Sequence, residues 1–414
     1  MTKLDELIQE LCPQGVERKR LGDIGVIIRG NGLQKKDFTE SGVGCIHYGQ
    51  IYTYYGTCAY KTKSFVSPEL AEKLQKVNTG DLVIAVTSEN VEDVGKCVVW
   101  LGDEQIVTGA HAAIFKHNQD PKYVAYWFQT NDFFTQKKRI AKGTKVIDLT
   151  PQKLEEVTMP VPPLPVQREI VRILDNFAEL TAELTAELTA RKKQYEYYRD
   201  TLLTFGVHRG GTFETRWRTL GEVCGLQAGK AIPAIEISSV QTKEYAVPCY
   251  GGNGLRGYVR TANQQGDKPL VGRQGALCGN VCYATGSYYT TEHAVVVSDK
   301  GFFNSRFLYH ALVHANLNQY KTAGAQPGLS VAKLEKVKIP VPEKEIQDRI
   351  AKVLDNFDAI CSDLNIGLPA EIEARKKQYE YYRDMLLTFA AADDIILTDR
   401  QTDRQTDRQT DRQT

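Results

Sequence analysis

The sequence has no uninterrupted apolar stretch approaching the roughly 18 residues a membrane-spanning helix needs, so a helical membrane protein is not expected. Its opening segment, MTKLDELIQELCPQG, lacks a signal peptide's basic region and apolar block, and a cytoplasmic location is expected. Cysteine is scattered: nine residues from Cys12 to Cys361, without a CxxC pair. That excludes a regular disulfide framework and suits idle thiols in a reducing compartment. The closest pair, Cys278 and Cys282, has only His293 as a tempting further ligand, short of what zinc requires. A large charge of one sign is also absent, with Lys plus Arg at 52 against 51 for Asp plus Glu. Nucleic-acid binding by bulk positive charge is thereby disfavoured, although a sum hides local basic faces.

Catalytic signatures are missing too. There is no HExxH, GxSxG or Asn/Asp-Pro-Pro-aromatic motif, so metalloprotease, esterase and adenine-methyltransferase chemistry lack their residues. Gly252-Asn-Gly-Leu-Arg-Gly257 has GxGxxG spelling, but YVRT follows it where a dinucleotide site needs a helix. The stretch from Gly225 to Ala231 is one residue short of a phosphate loop and ends in alanine, which cannot hold magnesium. The seven histidines are dispersed; His310 and His314 lie at helix spacing without a third ligand and read as surface or core residues. A non-catalytic chain that binds no metal or cofactor is expected.

What is present is an internal duplication. ARKKQYEYYRDTLLTF (190–205) returns as ARKKQYEYYRDMLLTF (374–389), differing only at Thr201 and Met385. Upstream, residues 153–177 match residues 333–357 at 13 of 25 positions, including both PVP and both LDNF. Residues 25–140 and 224–320 show no convincing similarity, so the order is variable, constant, variable, constant. The constant segments are helical. Steps of four and three from Ile170 through Leu174, Phe177, Thr181, Leu184, Leu188, Arg191, Tyr195, Tyr198 and Leu202 to Phe205 trace a coiled-coil seam. At about 1.5 Å per residue, Gln167–Thr204 predicts a rod of roughly 57 Å. Its second copy runs through Ile350, Leu354 and Phe357, then Tyr379, Tyr382, Leu386 and Phe389, with a break expected at Gly367 and Pro369. Two such rods are natural antiparallel partners.

The variable segments combine short strand-like runs, such as KPLVGR and AVVVS, with closing helical patches, YVAYWFQTNDFFTQKKRI and NSRFLYHALVHANLNQY. They are basic: residues 12–152 carry 18 Lys/Arg against 15 Asp/Glu, and residues 207–332 carry 12 against 7. The first constant segment has 7 against 9. Within it, TAELTAELTA (181–190) is strong helix sequence in which each four-residue unit adds about 6 Å and about 40° of net rotation. The terminal TDRQ repeat from Thr398 has no apolar residue, so disorder is expected. Its codons can be written as a pure ACAG tract, which suggests slippage and phase variation.

This pattern resembles the specificity subunit of type I restriction–modification systems over residues 12–390. The resemblance rests on the paired PVP…Q…I…LDNF segments, the duplicated RKKQYEYYRD helices, the TAEL spacer and the Gly-rich runs PCYGGNGLRGYV and VGRQGALCGNV. It implies an α/β (α+β) chain: a first target-recognition domain (1–152), a helical spacer (153–206), a second recognition domain (207–332), a second helical segment (333–390) and the tail (391–414). It further implies one recognition domain per half of a bipartite double-stranded DNA site, docking of two modification (methyltransferase) subunits on the helices, and recruitment of restriction subunits. S-adenosylmethionine, ATP and magnesium belong to those partners. Side chains suited to reading bases or phosphates are Arg29, Asn31, Gln50, Thr87, Ser88, Asn90, Lys142 and Lys145 in the first domain, and Asn253, Arg256, Arg273 and Gln274 in the second. Leu174, Phe177, Leu184, Leu188, Tyr195, Tyr198, Leu354, Phe357, Tyr379 and Tyr382 are the expected subunit-interface residues. The competing reading is a coiled-coil scaffold that binds proteins and has no DNA specificity.

Overall fold

The computed structural model describes residues 2–205, 215–275, 277–322, 327–362 and 367–389. The chain forms two compact units: residues up to Glu183 together with the helix from Ile372, and Leu184–Glu371. The TDRQ tail lies outside the described residues.

In the first unit, helix α1 (Lys3–Leu11) is followed by β1 (Gly25–Arg29), β2 (Val43–Ile46), α2 (Tyr48–Thr53), β3 (Ser64–Val66) and β4 (Gln75–Val77). Next come β5 (Leu82–Ala85), β6 (Cys97–Trp100), β7 (Ile106–Thr108), β8 (Ala112–His117), α3 (Pro121–Trp127) and α4 (Asn131–Ile140). One sheet has the order β1-β8-β5-β6, with Cys58–Ala59 at its edge; the other runs β3-β2-β7-β4. Strand β5 reads LVIA and is buried throughout because both of its faces are covered. Its Leu82 and Ile84 pack with Tyr123, Trp127 and Phe133 of the helices. Its Val83 and Ala85 face Ile46 and Ile106 of the second sheet. The beginning of α5 (Leu164–Leu203) completes the first core with Val166, Ile170 and Leu174.

The second unit holds β9 (Cys224–Ala228), β10 (Val247–Gly251), β11 (Gly254–Val259), β12 (Gln264–Gln265), β13 (Lys268–Gly272), β14 (Val281–Ala284), β15 (Ser287–Thr290) and β16 (Ala294–Asp299). Its sheets run β9-β16-β13-β14 and β11-β10-β15-β12. Apart from the edge strand Cys58–Ala59, this is the strand order of the first unit, including the parallel pairs β2·β7 and β10·β15. The register agrees as well. The Val86 amide donates to the His111 carbonyl (3.0 Å) and Leu149 to Val86 (2.9 Å); Arg273 donates to His293 (2.8 Å) and Leu329 to Arg273 (2.8 Å). The duplication therefore includes the variable segments, where the sequence hides it. GxGxxG lies in a turn and strand β11, and Cys224–Ala228 is strand, so neither Gly-rich run forms a nucleotide loop.

Helices α6 (Ser305–His314), α7 (Lys344–Ser362) and α8 (Leu368–Thr388) follow. α7 ends at Ser362 and α8 begins at Leu368, so Gly367 falls outside the helices as expected, whereas Pro369 lies within the first turn of α8, where its missing N–H costs nothing. In the second unit Tyr198 stacks on Phe357 at 5.3 Å while Cys361, one turn on in α7, faces Arg191 and Lys192. These contacts make α5 and α7 antiparallel. In the first unit Phe177 stacks on Tyr382 at 5.5 Å. The seam drifts from its expected track: Leu203 and Leu387 are fully buried, while Leu202 and Leu386 are half-buried. A straight helix slips about 20° per heptad against a strict 3.5-residue repeat, or about one residue over five heptads.

Candidate nucleic-acid interface

In the first unit, an open groove of about 770 Å³ lies between α2 and the loop after β5. Gln50, Thr87, Ser88 and Asn90, expected from the sequence to read bases, line it beside His47, Tyr48, Tyr52, His111, Lys35 and Lys63, which the sequence does not single out. Position 47 caps α2: its Nδ1 accepts the Gly49 amide at 3.2 Å, which leaves the ring proton on Nε2. Burial first, then Lys35 and His111, holds the His47 pKa below the usual histidine range, so the ring is neutral at pH 7. Thr87 is buried and its hydroxyl lies 2.9 Å from Nδ1 of His111, so it acts on that ring rather than presenting itself to a ligand. Gln50 is spent locally, accepting from the His47 amide (3.0 Å) and donating to Ser64 (2.6 Å). Asn90 closes a turn with Asp93.

Arg29 ends β1, donates to the Ala110 carbonyl (3.0 Å) and pairs with Asp148 (2.6 Å). Asp148 bridges in register to Thr87 and, through backbone bonds, to Lys142. Arg29, Thr87, Ser88 and Lys142 are thus one structural neighbourhood. Lys145 is exposed on the same loop, next to Val146 at the groove's edge. Asn31 is separate. Its side chain holds the Lys73 carbonyl and the Gln75 amide, a loop-fixing role.

In the second unit, Asn253 lies in the exposed β10–β11 turn, Arg256 on β11 and Gln274 just past β13. They converge: a Cβ on Gly252 would stand 2.9 Å from the Gln274 carbonyl oxygen and 3.2 Å from that of His293. Arg273 follows the same strand, its Nε shielded from solvent and without a hydrogen-bond partner among the described residues. Glu292 Oε2 and His293 Nδ1, also absent from the sequence-based set, share that condition. Buried polar atoms are ordinarily satisfied, so three such atoms around one turn mark a place that expects a polar partner. Among the described residues no group of three or more His, Cys, Asp or Glu side chains comes together to hold a metal, and no helix is long and apolar enough to cross a membrane.

A groove in one unit, a turn at the equivalent station of the other and two copies of one helix match a known family. The profile described as the type I restriction modification DNA specificity domain matches residues 13–191 and again 214–374. The chain belongs to that specificity-subunit family. A curated relative, the EcoprrI specificity subunit of Escherichia coli, is 44% identical over 254 residues, covering 59% of this chain and 63% of its own length. A putative type I specificity subunit of Mycoplasma pneumoniae is 34% identical over 289 residues, covering 65% and 82%. The solved S subunit from M. genitalium shares the fold at 16% identity, with a TM-score of 0.57 over 90% of this chain and 96% of that one.

In this specificity subunit the residues expected at a subunit interface do internal work first. Leu174 and Leu354 are fully buried in the two cores. Phe177 with Tyr382 and Tyr198 with Phe357 form the stacked pairs; the Tyr195 hydroxyl lies 3.1 Å from His310, and Tyr379 packs on the first core. Leu184 and Leu188, within the TAEL repeat, are half-buried.

Proposed function

We propose that this chain is the non-catalytic DNA-reading subunit of a type I restriction–modification complex, with one half of a bipartite site read by each unit. The supporting observation is the structural duplication. Two units with the same strand order in both sheets, dissimilar in sequence throughout their variable segments, suit two different half-sites. The local excess of Lys and Arg in both recognition segments supports phosphate contact around them. The helices dock two modification subunits, which methylate adenine from S-adenosylmethionine; restriction subunits using ATP and magnesium complete the complex in the cytoplasm. Arg256, Gln274 and Asn253 in one unit and Ser88, Lys142 and Lys145 in the other are the proposed DNA-facing groups.

Mapping methylated adenines across a host genome, with and without this gene, tests the reading: one bipartite motif should appear with it. Exchanging residues 207–332 for another such domain should change one half of the motif only. One further TAEL unit should widen the unread gap by about one or two base pairs, from about 6 Å of added helix against 3.4 Å per pair. A motif that stays whole after the exchange, or a gap that stays fixed, refutes the reading.

A further inference from the structure

The geometry points to His111 and His293 as base-contacting residues, one for each half-site, an inference that rests on the DNA-reading function above. The two occupy the same station in the two units. Each immediately precedes the central strand, β8 or β16, and each carbonyl accepts the amide that follows the paired strand, from Val86 at 3.0 Å or Arg273 at 2.8 Å. Beyond them, Gly30 donates to Ala112 (2.9 Å) and Gly229 to Ala294 (3.1 Å). The flanking side chains differ: Val86 against Arg273, Thr87 against Gln274, Ala110 against Glu292. The imidazole is what the two stations share.

The rings are placed for recognition. His111 is exposed, lines the groove with Ser88 and Asn90, and packs against Tyr48 at 4.8 Å. Its Nδ1 faces the Thr87 hydroxyl, and its Nε2 makes no hydrogen bond among the described residues. The His293 ring is partly exposed, with Nε2 3.1 Å from Glu292, while its Nδ1 is shielded from solvent and has no partner among the described residues. A neutral imidazole offers one donor and one acceptor, and the neighbour decides which nitrogen carries the proton. A carboxylate beside Nε2 favours the proton there, which makes the partly exposed His293 ring a donor at Nε2; a hydroxyl beside Nδ1 permits either tautomer at His111, whose Nε2 can donate or accept. One side-chain type can therefore match a base-edge acceptor such as purine N7 in one half-site and a donor in the other.

The test is selection of bound sequences from randomised duplex DNA by the full-length chain and by His111→Gln, His293→Gln and, as control, His314→Gln. His111→Gln should relax one or two positions in one half-site and weaken binding of the original site about tenfold, and His293→Gln should do the same in the other half alone. Non-specific binding and its salt slope should not move, because phosphate contacts are untouched. His111→Asn and His293→Asn, each checked for an unchanged unfolding transition, guard against a folding defect. Retention of the original motif and affinity by any folded variant at either histidine overturns the inference. If the unaltered chain selects no bipartite sequence, the DNA-reading function itself fails instead.

Discussion

Residues 190–205 and 374–389 are almost the same peptide, yet they rest on surfaces with little sequence in common. On the second unit, Asp355 of α7 sits between Arg306 (2.7 Å) and His310 (2.8 Å) of α6, and Tyr195 of the repeated helix reaches His310 from the other side. On the first, Asp175 sits between Lys122 (2.7 Å) and the Tyr126 hydroxyl (2.6 Å) of α3, with Tyr379 of the other copy adjoining. A glutamine one turn from each long-helix start repeats the logic. Gln167 takes the Asp120 amide and gives to the Pro162 carbonyl, while Gln347 takes the Asn304 amide and gives to the Pro342 carbonyl. The two sites thus share the aspartate, glutamine and tyrosine of the repeated segments, while the recognition domains meet them with different residues in one pattern: a carboxylate held between a cation and a ring donor. A recognition domain can diverge freely so long as it presents that pattern to a fixed helix.

The sharpest way to break the comparison is through the cores. Leu174→Ala and Leu354→Ala remove equivalent, fully buried side chains, and each should cost about 2–5 kcal/mol. Hydrogen exchange should show the loss in β8 for the first variant and in β16 for the second; equal loss in both units would mean that they do not unfold separately.

A smaller effect is expected at the loop clamps. Lys137 Nζ donates to the carbonyls of Glu92 (3.0 Å) and Val94 (2.7 Å), and Asn318 donates to that of Cys278 (2.7 Å). Both clamps grip the residue before a glycine at positive φ, +82° at Gly95 and +89° at Gly279, where side chains strain the backbone. Lys137→Met and Asn318→Leu should each cost about 1–3 kcal/mol by orphaning carbonyls. Only the lysine brings pH dependence: burial pulls its pKa from 10.5 to about 8. Between those values the unfolded chain binds more protons, so stability of the first unit should rise with pH, and Lys137→Met should flatten that rise. Urea titrations from pH 7.5 to 10.5 measure it.

The least effect is expected at His310, for which the first unit substitutes Tyr126. Burial lowers the histidine's pKa from 6.5, with Asp355 opposing. As pH falls below about 6.5 the unfolded state takes up the proton first, so the second unit loses stability. Arg306 repels the added charge and Asp358 attracts it; Tyr195 and Tyr309 complete the surroundings. His310→Tyr should remove that part of the acid sensitivity, read as exchange in residues 305–314 between pH 7 and pH 5.

The helices, their break and the paired segments were legible because near-identical copies amplify a periodic signal. The strand topology common to both units was not, since a fold fixed by backbone pairing and alternating burial leaves few shared letters. Among residues that line the groove, Ser88 and Asn90 were legible as polar residues of the segment after a strand. His111, His47 and Glu292 were missed because nothing local marks them; what singles them out is a groove or turn assembled from distant segments. Thr87 and Asn31 show the converse, polar residues in the right region whose groups are consumed by the fold.

One feature of the long helix bears on how such chains vary. The boundary between the units falls at Glu183–Leu184, inside TAELTAELTA, and none of residues 178–190 belongs to either hydrophobic core. Gaining or losing a repeat there removes no side chain from either core. The two cores therefore set no repeat number for this segment, and any preference for one must be imposed from outside them.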